Sequence, residues 1–357
     1  MWTVRLGLLL AGLLIALLPL EVALRVIGAA ASKGPDFSRE RPAFFYLPHA
    51  PTTMQGNEPL GPKAPGEYRI VVIGDSFSFA PGMQFHDAFA KRLEQILRTV
   101  PSGGKSAVSV VNLGTPGYST VKELKSFDQA LTYQPDLVLL QVTLNDPQLR
   151  PLQQEPDEIR GDFGPYKPSS WFARHSRIVS WVAARLHNTR SVDSYIRYHE
   201  RLWDENWDRF AQPFSTMKSE AAARNIEFGV VLFPLFDFPL TRAGYPFGEI
   251  HQKIASHVKG AGVPFIDLFR SFEGLDHYRL QLIPGSDTHP NEIAHRIAAE
   301  RLYLWIRRLK SFPPERKVKR WYPRRSNLLE QQFAPPPKRK TAQEAKGERG
   351  TESERGA

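Results

Sequence analysis

Five short apolar runs, separated by stretches with helical spacing, constrain this chain more than any other feature. They are Arg69-Ile-Val-Val-Ile73, Val108-Ser-Val-Val111, Leu137-Val-Leu-Leu-Gln-Val142, Phe228-Gly-Val-Val-Leu-Phe233 and Val263-Pro-Phe-Ile266. Each has the length of a strand and is largely apolar, as expected of a strand buried on both faces. Between them apolar residues recur every three or four positions: Phe85, Phe89, Leu93, Ile96 and Leu97, then Val121, Leu124, Phe127 and Leu131. Another helix is expected from Phe247 to Lys259. A last one, after Pro290, carries Ala294, Ala298, Leu302 and Trp305 on one stripe. Strands alternating with helices predict an α/β fold with a mainly parallel sheet of about five strands.

The alternation occupies residues 67–310, with an interruption at about 147–225 that is rich in Trp, Tyr and Arg. Within it Trp203, Trp207, Phe210, Phe214, Met217 and Ala221 step by four and three, which predicts one long amphipathic helix with a core-packing stripe. Residues 1–31 read as a membrane anchor or signal segment. Leu6–Leu20 is uncharged, shorter than the ~20 residues needed to span a bilayer, but apolar residues continue to Ala31 around Glu21 and Arg25. Ala29-Ala30-Ala31 offers the rival reading, a cleavage site. Residues 32–66, rich in Pro and Gly, read as a linker or arm. After Lys310 the chain changes character: Pro335–Ala357 has almost no apolar content, and residues 311–357 read as a disordered basic tail.

Charge matters mainly through that tail. The chain carries a formal +10, of which 12 Lys/Arg against 6 Asp/Glu in 311–357 supply +6. No nucleic-acid module is present, so the basicity does not imply a nucleic-acid partner. The chain has no Cys, which excludes disulfides, thiolate metal sites and a cysteine nucleophile. HExxH, Walker and GxGxxG motifs are absent, so no cofactor is expected.

Four segments at strand ends carry candidate chemistry. Gly74-Asp-Ser-Phe-Ser78 ends the first strand, where open α/β sheets build their sites. Val111-Asn-Leu-Gly-Thr-Pro-Gly-Tyr-Ser119 follows the second, and Gly117 can turn a backbone N–H towards a ligand. Thr143-Leu-Asn-Asp146 ends the third, with the Asn145 amide as a donor. Ser286-Asp-Thr-His-Pro290 precedes the last helix and offers His289 from the far side.

In this order the four segments resemble the blocks of the SGNH (GDSL-like) hydrolases, over roughly 67–310. The resemblance implies a flavodoxin-like three-layer α/β/α sandwich. It also implies Ser76 as nucleophile, His289 as its base, Asp287 as the acid that orients His289, and an oxyanion hole from Ser76, Gly117 and Asn145. Two positions depart from the family pattern. Thr143 stands where the third block usually has Gly, and Ser286 stands where the acid usually lies, three before the His. Asp287 therefore either completes a triad or merely caps the last helix beside a Ser–His dyad.

The implied activity is cleavage of an O-acyl ester on a small molecule, glycan or lipid. Acyl transfer to a carbohydrate would use the same residues, and a membrane-tethered binding module would need none of them. Arg5 before the N-terminal segment and Arg25, Lys33, Arg39 and Arg41 after it would keep the main domain cytoplasmic by the positive-inside rule. Resemblance to anchored bacterial members implies the extracytoplasmic, periplasmic side.

Overall fold

A computed structural model describes residues 2–31, 62–99, 107–161, 163–164 and 166–313. The strands are β1 (Tyr68–Ile73), β2 (Val108–Asn112), β3 (Leu137–Val142), β4 (Glu227–Leu232), β5 (Phe265–Asp267), β6 (Gln281–Ile283) and β7 (Asp287–Pro290). The helices are α1 (Trp2–Ala31), α2 (Ser76–Phe79), α3 (Phe89–Thr99), α4 (Thr120–Thr132), α5 (Asp157–Arg160), α6 (Trp171–His175), α7 (Arg177–Glu205), α8 (Asp208–Ala223), α9 (Gly248–Gly260), α10 (Phe269–Phe272) and α11 (Glu292–Ile306).

The first five strands form one parallel sheet in the order β2-β1-β3-β4-β5, the flavodoxin-like order. All residues of β1, β2 and β3 are buried, because helices cover both faces. Right-handed crossovers dictate which helix goes where. The β1-to-β2 connection runs one way along the sheet and puts α3 on one face, where it pairs with α11. The β2-to-β3 and β3-to-β4 connections run the other way and put α4 against α8 on the opposite face. The expected α/β fold with five parallel strands is thus present.

Three details differ from the expectations. The aromatic stripe does not ride on one helix. The chain breaks at Asn206, which caps α7, and resumes as α8. The break lets Trp203 sink fully and donate its indole N–H to the Leu144 carbonyl at 2.8 Å, while Phe210, Phe214 and Met217 pack from α8. Residues 287–290, outside the five apolar runs, form a strand paired antiparallel with β6, and the last helix begins after it at Glu292. Ser311 and Phe312, read as the start of the tail, pack on the domain. Phe312 is buried edge-on against Tyr68 at 5.6 Å, and Ser311 N–H donates to Glu227 at 2.7 Å.

The rest of the tail and most of the 32–66 arm lie outside the described residues. Residues 2–31 form α1, but among the described residues no helix is long and apolar enough to cross a membrane. The fold therefore gives the expected anchor no support.

Candidate active site

Nucleophilic chemistry needs a hydroxyl held in the open, and the first βα turn supplies one. β1 ends at Ile73, and Asp75 caps α2 by accepting the Phe77 N–H at 2.8 Å. Ala80 stops the helix after a single turn in the left-handed conformation, at φ +61°. Ser76 is thereby held at the first position of a sharp strand-to-helix turn. The turn is locked to its neighbours. Gln141 Oε1, on β3, accepts from Asp75 N–H at 3.2 Å and Ser78 Oγ at 2.7 Å. Asn112, at the end of β2, donates to the Ser78 carbonyl at 2.7 Å. At Gly114 a Cβ would lie 2.5 Å from the Phe79 backbone N, so only glycine lets the β2 loop approach this closely.

His289 arrives from the other end of the sequence on β7. Its Nε2 is 3.0 Å from Ser76 Oγ, and its Nδ1 is 2.7 Å from Asp287 Oδ1. Residues i and i+2 of a strand project to the same face, so the two-residue spacing that looked irregular is the one a strand requires. Asp287 Oδ1 also accepts the His289 backbone N–H at 3.1 Å. Capping of the last helix falls instead to Asn291, which accepts from Ile293 and Ala294 N–H at 3.0 and 3.2 Å. The imidazole is 5.8 Å from the Phe77 ring, centroid to centroid.

The electrostatics agree with the geometry. Burial works against a charged His289, but the Asp287 hydrogen bond and charge, helped by Asp75 and Asp237, outweigh it and raise its pKa above 6.5. Burial alone would raise Asp287, but its bonds and attraction to His289 bring it below 3.8.

Gly117 and Asn145 line the same cavity as Ser76 and His289, a cleft of about 290 Å³. Gly117 has φ +71°, a conformation that favours glycine, and nothing stands within 4 Å of where its Cβ would be. Thr143, the departure from the family glycine, donates its hydroxyl within a cluster formed by Asp75 Oδ2 at 2.6 Å, Asp146 Oδ1 at 3.3 Å and Asn145 Oδ1. With its oxygen facing Thr143, the Asn145 amide keeps its NH₂ end for another acceptor.

Behind this loop Asp75, Asp146 and Glu123 are all fully buried. Desolvation first, then repulsion within the group, raises Asp146 and Glu123 well above the carboxylate range and favours their neutral forms. Neutral Asp146 can itself donate to the cluster.

Several lining residues escaped the sequence reading. Tyr195 and His199 come from α7, Phe163 and Leu152 from the segments before it, and Asp237 and Thr288 flank His289. Burial raises the Asp237 carboxyl, and a hydrogen bond from Thr288 partly offsets this. Thr288 sits inside the Ser286–Pro290 segment, between the two residues singled out there; the others lie in no recognisable motif, and only the fold brings them to the cleft. Among the described residues no group of three or more His, Cys, Asp or Glu is arranged to hold a metal ion.

Residues 72–297 match the family described as GDSL-like Lipase/Acylhydrolase. No curated protein matches. Among solved structures, a member of the lipolytic protein G-D-S-L family from Veillonella parvula is 12% identical, with 68% of this chain and 100% of that chain covered and a TM-score of 0.40. An acetylxylan esterase mutant from Geobacillus stearothermophilus is 15% identical, with 67% and 94% covered and a TM-score of 0.40. A lipase/acylhydrolase from Enterococcus faecalis is 16% identical, with 67% and 95% covered and a TM-score of 0.39.

Proposed function

Starting from a chain that belongs to the GDSL-like lipase/acylhydrolase family, we propose that it is a serine esterase that cleaves an O-acyl ester through an acyl-enzyme. One observation carries the reading: Ser76 Oγ, His289 and Asp287 stand in line at 3.0 and 2.7 Å. Ser76 Oγ attacks the acyl carbonyl while His289 Nε2 takes its proton. The new C–O bond pushes the carbonyl electrons onto oxygen. The backbone N–H groups of Ser76 and Gly117 and the Asn145 NH₂ stabilise that oxyanion. Asp287 keeps the Nδ1 proton in place and stabilises the imidazolium. Collapse expels the alcohol, which leaves with the proton held by His289. Water then enters by the same route in reverse and releases the acid.

A serine-reactive fluorophosphonate tests this directly. Wild-type protein is expected to label and to turn over short acyl esters. Ser76→Ala is expected to lose both while keeping its thermal unfolding profile. Undiminished turnover in the purified variant would sink the hydrolase reading.

A further inference from the structure

The corner where α1 meets the insertion is built unlike the rest of the molecule. Glu21 of α1 accepts from Arg177 N–H at 2.8 Å, from Ile178 N–H at 3.0 Å and from Ser176 Oγ at 3.0 Å, so it caps the N-terminus of α7. Arg25 bonds back to Glu21 at 2.9 Å and donates to the His175 carbonyl at 2.8 Å, closing the clasp on α6. Glu21 thus joins two segments 155 positions apart.

The clasp holds large apolar side chains out in solvent. Trp171 is 61% exposed, Phe172 66% and Trp181 54%. Val179, Val182 and Leu186, at spacings of three and four, form an exposed stripe on α7. Leu18, Val22 and Val26 of α1, the helix that Glu21 joins to α7, are exposed as well. Exposed apolar surface concentrated in one place marks an interaction site. Its charge selects the partner: residues 171–192 contain Arg174, Arg177, Arg185 and Arg190 and no Asp or Glu. Exposed Trp and Phe interleaved with arginines suit the boundary between acyl chains and negatively charged headgroups.

We propose that the α1–α6–α7 corner docks on an anionic lipid surface. The contact is interfacial: the aromatics enter the headgroup layer, the arginines pair with lipid phosphates, and α7 carries the contact to Tyr195 and His199 at the cleft.

Co-sedimentation of the full chain with vesicles tests it, using phosphatidylcholine alone and phosphatidylcholine with about a third phosphatidylglycerol. Two variants are compared with wild type, Trp171→Ser/Phe172→Ser/Trp181→Ser and Arg174→Gln/Arg177→Gln/Arg185→Gln. All six positions are exposed, and thermal unfolding by circular dichroism checks that the fold survives. Wild type is expected to prefer the anionic vesicles. The arginine variant is expected to bind them on the order of 100-fold more weakly, about tenfold or less for each charge lost at the surface. The aromatic variant is expected to bind both compositions more weakly. Because the basic tail is present throughout, differences between the variants and wild type decide the question. Variants that bind like wild type would overturn the proposal. So would a wild-type dimer, seen by sedimentation without lipid, that the aromatic variant abolishes, since a second copy would then be the occupant.

Discussion

Asp287 and His289 owe their partnership to strand geometry, and this makes the acid testable at a single residue. If Asp287 holds the Nδ1 proton, Asp287→Asn is expected to keep the fold and cut kcat by about 10⁴. Its effect on pH dependence has a definite sign. His289 must be neutral to act as base, and its pKa in the folded protein is raised, so kcat/KM is expected to rise with pH along a limb centred above 6.5. Removing the negative partner moves that limb down. The pair also contributes to stability. His289, raised, contributes fully below 6.5 and loses that contribution as pH rises through its folded pKa. Asp287, lowered, contributes fully above 3.8 and loses it as pH falls. Between those values both contributions are present. A pH–rate profile of the two proteins checks the first claim; an unchanged limb in the variant would assign the shift to other groups.

At the scale of elements, legibility follows from whether the signal is local. β1, β3 and β4 were readable because a strand buried on both faces must be apolar along its length. β7 was not, because Asp287-Thr-His-Pro290 is polar and its pairing depends on distant help. Gln281 on β6 is held by the Phe236 carbonyl at 2.6 Å and itself accepts from Gly285 N–H at 2.6 Å. The break at Asn206 was equally hidden, since the stripe from Trp203 to Ala221 keeps its period through it while the Leu144 carbonyl, 59 positions away, draws Trp203 inward. In the site, Ser76, Gly117, Asn145 and His289 stood out by motif, whereas Asp237 and Tyr195 meet them only through the fold. The end of the domain is hidden in the sequence for a related reason. Phe312 is one aromatic in a charged stretch, and only its contact with Tyr68 on β1 shows what it does. Truncation after Pro313 and truncation after Lys310 are therefore expected to differ. Loss of a buried Phe costs about 3–5 kcal/mol, so melting scans should show the shorter protein unfolding at a clearly lower temperature. Equal melting temperatures would mean that Phe312 adds nothing.

At the scale of the whole molecule, the sheet order puts β1 between β2 and β3 and the cleft at its carboxyl end, where the strand order reverses. The consequence concerns time. The bond from Ser76 to His289 spans 213 positions, and closing a chain of that length costs about 5 kcal/mol of entropy before any contact returns it. Parallel sheets assembled from such distant pieces form slowly. Helices and the early strands can therefore be in place while serine and imidazole are still far apart. In a refolding experiment the far-ultraviolet dichroism is expected to recover first and ester turnover last. A nascent or damaged chain would then be chemically silent until it is complete.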